Sequence, residues 1–453
     1  MAIVFDLISI KGHEKKIDKL LTFKEKKYFS KFNNFSSSNN IKTVKMYLTN
    51  NKKVNIPYRF ACVYFDKIYN QDKEYPKIFE NKEGKFQGKL LSRQEEPYRE
   101  AINYLYKYKT VTIALYPGFG KTFLGCMLSW YINKRTCILV HRENVGKQWV
   151  KTFKNYLPLE DKDIWFVNDK YKKDAKILIC MNGRVKKIPK EDRDSIGCLI
   201  IDEAHCFCSE SNVQPLLSFS PKYIIAETAT PKKDNGMHRM IESICGTHCI
   251  QKLSNKKFKL IVIQTDLHFS IGEQNNIFGE LLNKRAESPE LNHLILSILE
   301  NNQNYKSIVA CARTGHCKYL HTQLEKKGLK SAELYGTKNN YKTENILLGT
   351  GSKMGVGFDE ANFCDDFDGR PSDLLIITYT FASWAPFEQV RGRGMRTDNP
   401  TVIIFNDNCN ITKKHIRKMI KWSKESNGDV YNINIGDTGD MRDYSIPSLL
   451  KNE

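Results

Sequence analysis

One segment of the sequence has the composition of a phosphate-binding loop. It reads Tyr-Pro-Gly-Phe-Gly-Lys-Thr at residues 116–122, after an apolar, β-branched run at residues 111–115. That run predicts a buried strand, and residues 124–132 predict a helix. Glycines between a strand and a helix let backbone N–H groups point at an anion beside the helix N-terminus. We expect Lys121 to contact the β- and γ-phosphates of a nucleotide and the Thr122 hydroxyl to bind Mg²⁺.

Two acids follow a second apolar run at residues 198–201, which also predicts a buried strand. Asp202 could hold Mg²⁺ through water, and Glu203 could orient and deprotonate the attacking water that nucleotide hydrolysis requires. An ordinary acidic cap between a strand and a helix is the plainer alternative. It does not explain why Asp-Glu-Ala-His follows a phosphate loop at a distance normal within one domain. The loop itself departs from the strict pattern, because Leu115 replaces the first glycine.

A third pattern places positive charge far along the chain. Gln389, Arg393 and Arg396 form Gln-x-x-Gly-Arg-x-x-Arg, and the i, i+3 spacing of the arginines predicts one helix face. An arginine that stabilises the charge of phosphoryl transfer contributes roughly 10³–10⁵ in rate. These arginines lie too far from the loop to share its domain. We therefore expect them to act from a second domain and to couple hydrolysis to domain closure. A solvated basic helix face is the alternative for this segment alone.

Together these motifs indicate an ATP-driven motor on nucleic acid, and the chain resembles the superfamily 2 helicases of the Asp-Glu-Ala-His type. More narrowly, it resembles the poxvirus-like transcript-release DNA helicases of large cytoplasmic DNA viruses, over about residues 88–406. Four further segments carry the resemblance: Arg93-Gln94 (adenine sensing), residues 140–149 with Gln148-Trp149 (nucleic-acid contact), Thr-Ala-Thr-Pro at 228–231 (coupling) and residues 350–359 (contact with both ligands). Val356 and residues 360–362 depart from the family pattern.

The resemblance implies a role for each matching residue. The expected catalytic residues are Glu203, Gln389, Arg393 and Arg396, and the expected ATP contacts are Gln94, Pro117, Gly118, Phe119, Gly120, Lys121, Thr122, Gly357 and Asp359. Thr122 and Asp202 are the expected metal ligands, Thr228 and Thr230 the coupling pair, and Arg142, Gln148 and Thr350 the nucleic-acid contacts. The implied cofactors are ATP and Mg²⁺.

The charge of the chain favours a polyanionic partner. Its 453 residues carry a formal charge of +20, and residues 1–90 alone hold 19 basic against 9 acidic residues, an excess of +10. Contact with a phosphate backbone would use such an excess and would make binding salt-dependent. Surface lysine that only confers solubility is the alternative.

The 13 cysteines lack paired spacing and predict reduced thiols. Residues 205–208 and 245–249 each cluster Cys and His, but neither cluster has two matched Cys-x₂-Cys halves, which favours packing over zinc. No apolar run approaches the ~20 residues of a membrane span. Without a recognisable signal sequence, we expect an intracellular protein, in the host cytoplasm or the virion if the source is viral.

Alternation of strands and helices predicts an α/β fold with two tandem RecA-like parallel-sheet domains and a small N-terminal α+β module. The expected domains are a basic accessory module at residues 1–88, an ATP-binding domain at 89–255, a second RecA-like domain at 256–410 and a basic tail at 411–453. Predicted strands cover residues 111–115, 137–140, 177–180, 198–201 and 223–226, then 307–310, 332–335, 346–348, 374–378 and 402–405, with one more suggested at 431–435.

The N-terminal module is the part with the least defined role. It is predicted to hold a lysine-rich amphipathic stretch at residues 11–32, a polar loop at 33–40, and strands at 43–49 and 58–65. In the resembled family such a module binds or distorts the duplex, so we expect nucleic-acid contact. A docking or folding appendage is the alternative.

Several competing functions remain open at this stage. A P-loop kinase for a metabolite would not need the acidic, Thr-Ala-Thr and arginine motifs. A structural nucleic-acid-binding protein with a vestigial ATPase would be expected to lose Lys121, Glu203 or Arg393, and all three are present. An RNA helicase, or a duplex translocase that never separates strands, is not distinguished, because such motors contact backbone rather than bases. The resemblance favours DNA over RNA, the transcription machinery as partner, and a monomer.

Overall fold

The computed structural model divides the chain into two compact units, Met1–Lys252 and Leu253–Glu453. It describes residues 2–6, 11–24, 43–50, 52–65, 73–80, 86–230, 236–272, 276–338, 340–355, 358–394, 396–435 and 443–451. The predicted polar loop at residues 33–40 lies outside the described residues, as does much of the predicted amphipathic stretch. The domain boundaries at residues 88, 255 and 410 stay predictions.

The first unit is built on a seven-stranded parallel sheet with the order β12-β6-β11-β10-β7-β9-β8. Its strands are β6 (Thr110–Leu115), β7 (Thr136–Val140), β8 (Ile164–Phe166), β9 (Ile177–Met181), β10 (Cys198–Ile201), β11 (Tyr223–Thr228) and β12 (Cys249–Lys252). The central strands are continuous apolar runs, as expected where helices cover both faces of a parallel sheet. All five strands predicted for this part of the chain are present.

Helices cover this sheet on both sides. They are α3 (Ser92–Tyr108), α4 (Lys121–Ile132), α5 (Glu143–Tyr156), α6 (Lys190–Ser195), α7 (Glu210–Val213) and α8 (Arg239–Cys245), with 3₁₀ helices at Asp161–Asp163, Asn182–Lys187, Ala204–Phe207 and Gln214–Ser218. Two apolar cores result. One core lies between the sheet and the helices α4 and α5. The other lies on the opposite face of the sheet and includes side chains of the N-terminal elements.

Small antiparallel sheets precede the parallel sheet. They comprise β1 (Ala2–Asp6), β4 (Leu48–Asn50) and β5 (Lys53–Pro57) in one sheet, and β2 (Thr22–Lys24) and β3 (Thr43–Lys45) in another, with helices α1 (Glu14–Leu21) and α2 (Tyr58–Tyr64). Buried side chains of these elements belong to the same apolar core as one face of the parallel sheet. The N-terminal segment therefore packs onto the first unit through hydrophobic contacts.

The predicted strand at residues 58–65 is wrong, because this segment forms helix α2. The run is apolar at nearly every position, so its periodicity does not distinguish a strand from a helix. Packing decides it: Phe60, Ala61 and Phe65 are buried together, whereas Val63 and Tyr64 are exposed. A strand would have placed alternate residues on one face.

The second unit repeats the architecture with a second seven-stranded parallel sheet, ordered β15-β16-β14-β17-β18-β13-β19. Its strands are β13 (Phe258–Gln264), β14 (Ser307–Cys311), β15 (Ser331–Leu334), β16 (Ile346–Thr350), β17 (Leu374–Ile377), β18 (Thr401–Asn406) and β19 (Gly428–Asn434). Its helices are α9 (Ile277–Glu287), α10 (Pro289–Asn301), α11 (Thr314–Lys326), α12 (Gly351–Met354), α13 (Glu360–Phe363), α14 (Trp384–Arg391), α15 (Asn410–Glu425) and α16 (Ile446–Lys451).

The two parallel sheets confirm the predicted fold class. The suggested strand near residues 431–435 is β19, which pairs with β13 along its length, so residues 428–434 are part of the second sheet. Strand β13 was not predicted, although its apolar run resembles the others. Among the described residues, no helix has the length and apolar character needed to cross a membrane.

Candidate functional site

The predicted phosphate loop connects the end of β6 to the start of α4. Gly118 and Gly120 have φ angles of +81° and +99°, in the left-handed region that favours glycine. Gly120 is the residue at the N-terminus of α4, so the loop turns its backbone toward the first turn of that helix. Free N–H groups at a helix N-terminus attract anions. The local backbone thus has the form that phosphate binding requires.

The side chain of Gln94, on helix α3, supports this loop through a hydrogen bond. Its Nε2 donates a hydrogen bond to the carbonyl oxygen of Phe119 at 2.9 Å, and its Oε1 accepts one from the backbone N–H of Leu91 at 3.0 Å. A Cβ atom at Gly120 would lie only 2.4 Å from Gln94 Nε2. The close approach of the amide therefore requires glycine at position 120. The residue predicted to sense adenine is a buried support of the loop in this structure.

Lys121 and Thr122 begin helix α4, as the loop motif predicts. The Lys121 Nζ donates to the carbonyl oxygen of Leu115 at 3.2 Å, across the turn. Its ammonium is also close enough to Asp202 to lower the pKa of that carboxyl group. Lys121 and Asp202 are therefore neighbours, although 80 residues separate them along the chain.

The two acids of the second motif lie at the carboxyl end of β10, between β7 and β11. Burial and the neighbouring Glu203 charge raise the pKa of Asp202 to about 6. The indole Nε1 of Trp149 donates to Asp202 Oδ2 at 2.9 Å and partly offsets that increase. A divalent cation would offset the repulsion between the neighbouring carboxylates of Asp202 and Glu203.

Glu203 begins a chain of contacts that ends at the predicted coupling motif. Its Oε2 lies 3.4 Å from His205 Nδ1, and the same nitrogen lies 2.9 Å from the Thr228 hydroxyl. Thr228 Oγ1 in turn accepts a hydrogen bond from the backbone N–H of Thr230 at 3.0 Å. Glu203 itself has a φ angle of +50°, a costly backbone conformation for a non-glycine residue. The contacts connect the acidic motif on β10 to the end of β11.

Three residues near these acids have surroundings that the sequence did not indicate. Trp149 belongs to the predicted nucleic-acid-contacting motif, but its ring is fully buried and donates a hydrogen bond to Asp202. His141 follows β7, and burial and the charge of Arg142 lower its pKa to about 4. Glu227, on β11, is fully buried. A glutamate in an otherwise apolar strand was the signal that could have revealed the last of these.

Glu227 is the least stabilised of the buried carboxyl groups. Neither of its side-chain oxygens has a hydrogen-bond partner among the described residues. A Cβ atom at Gly125 would lie 2.5 Å from Glu227 Oε1 and 2.7 Å from the Trp149 ring, so helix α4 needs glycine there. Burial, and then the charge of Asp202, raise the pKa of Glu227 well above its ordinary value.

We expect Glu227→Gln to stabilise the protein increasingly as the pH rises. The folded state keeps the Glu227 proton to a higher pH than the unfolded state, so the carboxyl group costs stability above its unfolded pKa of 4.5. The melting temperature of the variant should exceed that of the parent by several degrees near pH 8, at about 2–4 °C per kcal/mol, and this difference should shrink toward pH 4.5.

The matched control for this change is Glu191→Gln, which alters an exposed glutamate of α6. Thermal unfolding of both variants and the parent between pH 4.5 and 8 gives the comparison. A melting-temperature difference for Glu227→Gln that does not vary with pH would contradict the argument.

The remaining predicted residues come together in the second unit. Arg396 Nη1 forms an ion pair with Asp359 Oδ1 at 2.6 Å, and Arg393 Nε donates to the carbonyl oxygens of Met354 and Gly355 at 3.2 and 3.0 Å. Burial opposes ionisation of Asp359, but the hydrogen bond and charge of Arg396, the Ala361 N–H and the charge of Arg393 together outweigh it and hold the pKa of Asp359 below its usual value. Gln389 is buried on the neighbouring helix α14.

The prediction that Arg393 and Arg396 share one helix face is wrong. Helix α14 ends at Arg391, so both arginines lie beyond it. The segment contains two glycines, and at Gly394 a Cβ atom would lie 2.9 Å from the Leu375 side chain. Gly357, the other predicted nucleotide contact of this unit, lies outside the described residues.

The predicted nucleic-acid contacts lie at helix starts and exposed helix faces. Arg142 precedes α5, and Gln148 is partly exposed on that helix. Thr350 precedes α12 and is mostly buried, with its hydroxyl 3.1 Å from that of Ser352. Next to it, a Cβ atom at Gly351 would collide with the Tyr379 hydroxyl, so only glycine permits this turn.

The first unit matches a known family over the candidate site. Residues 87–233 match the family described as type III restriction enzyme, res subunit, and every predicted site residue of the first unit falls in this span. The protein called Putative helicase 161L of Invertebrate iridescent virus 6 is 27% identical over 386 residues, covering 78% of this chain and 84% of the viral protein. The chain is thus similar to viral proteins that are described as helicases.

Further comparisons agree with this relationship. Putative helicase 055L of Frog virus 3 (isolate Goorha) is 24% identical over 312 residues, covering 66% of this chain and 69% of that protein. Among solved structures, S. cerevisiae Dbp5 bound to RNA and ADP BeF3 has a TM-score of 0.52 at 13% identity, over 75% of this chain and 90% of that chain. This structural likeness shows the tandem RecA-like fold. These relatives from iridoviruses agree with the predicted resemblance to helicases of large cytoplasmic DNA viruses.

Proposed function

We propose that the protein is an ATP-dependent nucleic-acid motor that hydrolyses ATP in its first unit. One observation carries the proposal: a glycine-shaped loop at the end of β6 stands beside an acidic pair at the end of β10, and Lys121 interacts electrostatically with Asp202. Parallel strands bring their carboxyl ends to one edge of the sheet, where ligands of such folds bind. The similarity to viral proteins described as helicases supports this choice over a metabolite kinase.

Mg²⁺ fits the donor set at this edge. Asp202 offers a buried carboxylate, and Thr122 offers a hydroxyl at the first turn of α4, which are ligands that a hard cation prefers. A cation held by Asp202 and Thr122 would take its remaining ligands from phosphate and water. When bound, the ion neutralises phosphate charge.

In this mechanism each residue of the first unit has one task. The backbone of residues 117–120 and the Lys121 ammonium hold the phosphates, with Gln94 keeping the loop in shape. Trp149 positions Asp202 through its indole hydrogen bond. Glu203 orients and deprotonates the attacking water, a step that positioned carboxylates accelerate by about 10²–10⁴.

The second unit supplies the arginines in our proposal. Arg393 and Arg396 would stabilise charge that develops during phosphoryl transfer, together with Gln389. Their hydrogen bonds to the carbonyls of residues 354 and 355 and to Asp359 connect them to the segment after β16. Thr350, a proposed nucleic-acid contact, is the last residue of β16 and directly precedes that segment, so nucleic acid bound there would influence the arginine positions.

We infer DNA as the substrate and transcript release, or related processing of a viral genome, as the role, from the resemblance of the motifs. The experiment compares ATP hydrolysis with single-stranded DNA, duplex DNA and RNA at equal nucleotide concentration. Stimulation by DNA supports the proposal. Stimulation by RNA alone indicates an RNA helicase, and duplex stimulation without strand separation indicates a translocase. If none of the three nucleic acids stimulates ATP hydrolysis, the proposal of a nucleic-acid motor is overturned.

Replacing both Thr228 and Thr230 by alanine should uncouple the two activities. The Thr228 hydroxyl joins His205 to the Thr230 backbone, and among the described residues no hydrogen bond joins either threonine to residues 116–122. We expect ATP hydrolysis without nucleic acid to stay within about threefold of normal, while strand separation per ATP falls at least about tenfold, the effect of losing one to two hydrogen bonds. The Thr228→Ser/Thr230→Ser variant keeps both hydroxyls and should retain coupling. Equal losses of both activities in the alanine variant would indicate a purely structural role.

A further inference from the structure

Tyrosines and lysines cluster at one edge of the first unit. The sequence Tyr-Lys-Tyr-Lys at residues 106–109 ends helix α3 and precedes β6, and Lys222-Tyr223 stands at the start of the neighbouring strand β11. The backbone N–H of Ile224 donates to the carbonyl oxygen of Lys109 at 3.0 Å, which joins the two segments. We name these six residues the tyrosine–lysine edge: Tyr106, Lys107, Tyr108, Lys109, Lys222 and Tyr223.

Lysine ammonium groups lie near all three rings of this edge, although Tyr108 also stacks on His248 with ring centres 4.6 Å apart and Tyr223 is partly buried against the core. Lys109 Nζ lies 5.5 Å from the centre of the Tyr106 ring and 5.6 Å from that of Tyr223, and Lys107 Nζ lies 5.0 Å from that of Tyr108. Tyr106 is 82% exposed, the highest value among the exposed large hydrophobic side chains of the described residues. An aromatic ring that stays exposed next to cations offers a stacking surface in a positive environment.

None of the three lysines of the edge forms an ion pair with a carboxylate among the described residues. Lys109 Nζ donates a hydrogen bond to the carbonyl oxygen of Tyr106 at 3.0 Å, and burial and then repulsion by the charge of Lys222 lower the pKa of Lys109. A nearby anion would relieve this repulsion. Arg59 of α2 lies 5.1 Å from the Tyr108 ring and adds a fourth positive charge.

The edge is separate from the candidate nucleotide site. Lys109 and Tyr223 stand at the amino ends of β6 and β11, whereas the phosphate loop and Thr228 stand at their carboxyl ends. Strands β6 and β11 are parallel neighbours, so their amino ends lie together at one margin of the sheet and their carboxyl ends lie together at the opposite margin. No task in the proposed hydrolysis uses the tyrosine–lysine edge.

We propose that the tyrosine–lysine edge binds single-stranded nucleic acid, with a base stacked on the exposed Tyr106 ring and phosphates bound by the lysines. Stacking platforms within a positive surface are the usual way in which proteins hold a single strand without reading its sequence. A duplex would offer its phosphates but hide its base faces, and would leave Tyr106 unused. This proposal goes beyond the proposed motor, because it adds a strand-binding surface on the edge opposite the nucleotide.

The test compares two matched double variants of the full chain. Tyr106→Ala/Lys107→Gln changes the edge, and Lys318→Gln/Tyr319→Ala changes another exposed Lys–Tyr pair, on helix α11. Binding of fluorescent 20-nucleotide oligo-dT and oligo-U, and of a duplex, is measured by anisotropy without nucleotide at several salt concentrations. We expect the edge variant to bind single strands about tenfold more weakly, with a salt slope shallower by about 0.7 for the lost phosphate contact.

The outcomes decide the proposal in either direction. Weaker binding of oligo-dT, oligo-U or both by the edge variant alone supports the proposal, and the comparison shows whether the strand is DNA or RNA. Single-strand affinity and salt slope equal to those of the α11 control overturn it, as does a loss confined to the duplex. Hydrolysis of ATP without nucleic acid is measured on the same variant and should stay normal, so failure of this proposal is distinguishable from failure of the proposed ATPase.

Discussion

Replacing Lys121 by alanine should lower ATP hydrolysis at least about 100-fold, the effect typical of removing one preorganised group that stabilises transition-state charge. The side chain donates to a single carbonyl, that of Leu115, so its loss removes little from the fold. Its ammonium would contact phosphates whose charge increases along the reaction. Released phosphate measured at saturating ATP gives the rate, and circular dichroism confirms that the variant is folded.

The control for this prediction is Lys147→Ala, which removes an exposed lysine from helix α5. It should hydrolyse ATP at the normal rate, because it lies on the solvent side of that helix. Turnover near normal in a folded Lys121→Ala variant would mean that the loop after β6 is not the catalytic phosphate site.

The Glu203→Gln variant should bind ATP normally and turn it over about 10²–10⁴-fold more slowly, since an amide cannot accept a proton from water. The shape and the left-handed backbone of residue 203 are kept by glutamine, and Lys121, Thr122 and Asp202 remain to hold the phosphates and the cation. Nucleotide affinity measured with a fluorescent ATP analogue, together with single-turnover hydrolysis, separates binding from chemistry.

Glu143→Gln provides the matched change outside the site, because Glu143 is an exposed residue in the first turn of α5. An unchanged kcat for Glu203→Gln would assign the general base to another residue, and Glu227 would then be the neighbouring buried carboxyl group to examine. A loss of ATP affinity with normal kcat would instead make Glu203 a binding residue.

Local chemistry made much of the fold predictable from the sequence. The central strands are short, mostly apolar runs, and such runs have few alternatives within a parallel sheet. The boundary between β6, the loop and α4 follows from glycine placement alone. The edge strand β8 escaped prediction because it is only three residues long and its short apolar run carries little periodicity.

Local chemistry was insufficient where packing selected the outcome. Residues 58–65 form a helix because Phe60, Ala61 and Phe65 reach the core together, a choice that their uniformly apolar sequence does not encode. Arg393 and Arg396 are separated from a common helix face because the chain leaves α14 at Arg391. The i, i+3 rule applies only while the helix continues.

The sequence by itself determined the type of chemistry, since glycines, a lysine, a threonine and two acids at these spacings suit nucleotide phosphates. Only the tertiary structure decided which groups support that chemistry. The hydrogen bond from Trp149 to Asp202 joins residues 53 positions apart. The close approach of Glu227 to Gly125 joins strand β11 to helix α4, although the two residues lie 227 − 125 = 102 positions apart in the chain. Spacing along a chain fixes contacts within one helix or strand, whereas the order of strands in a sheet fixes the contacts between them.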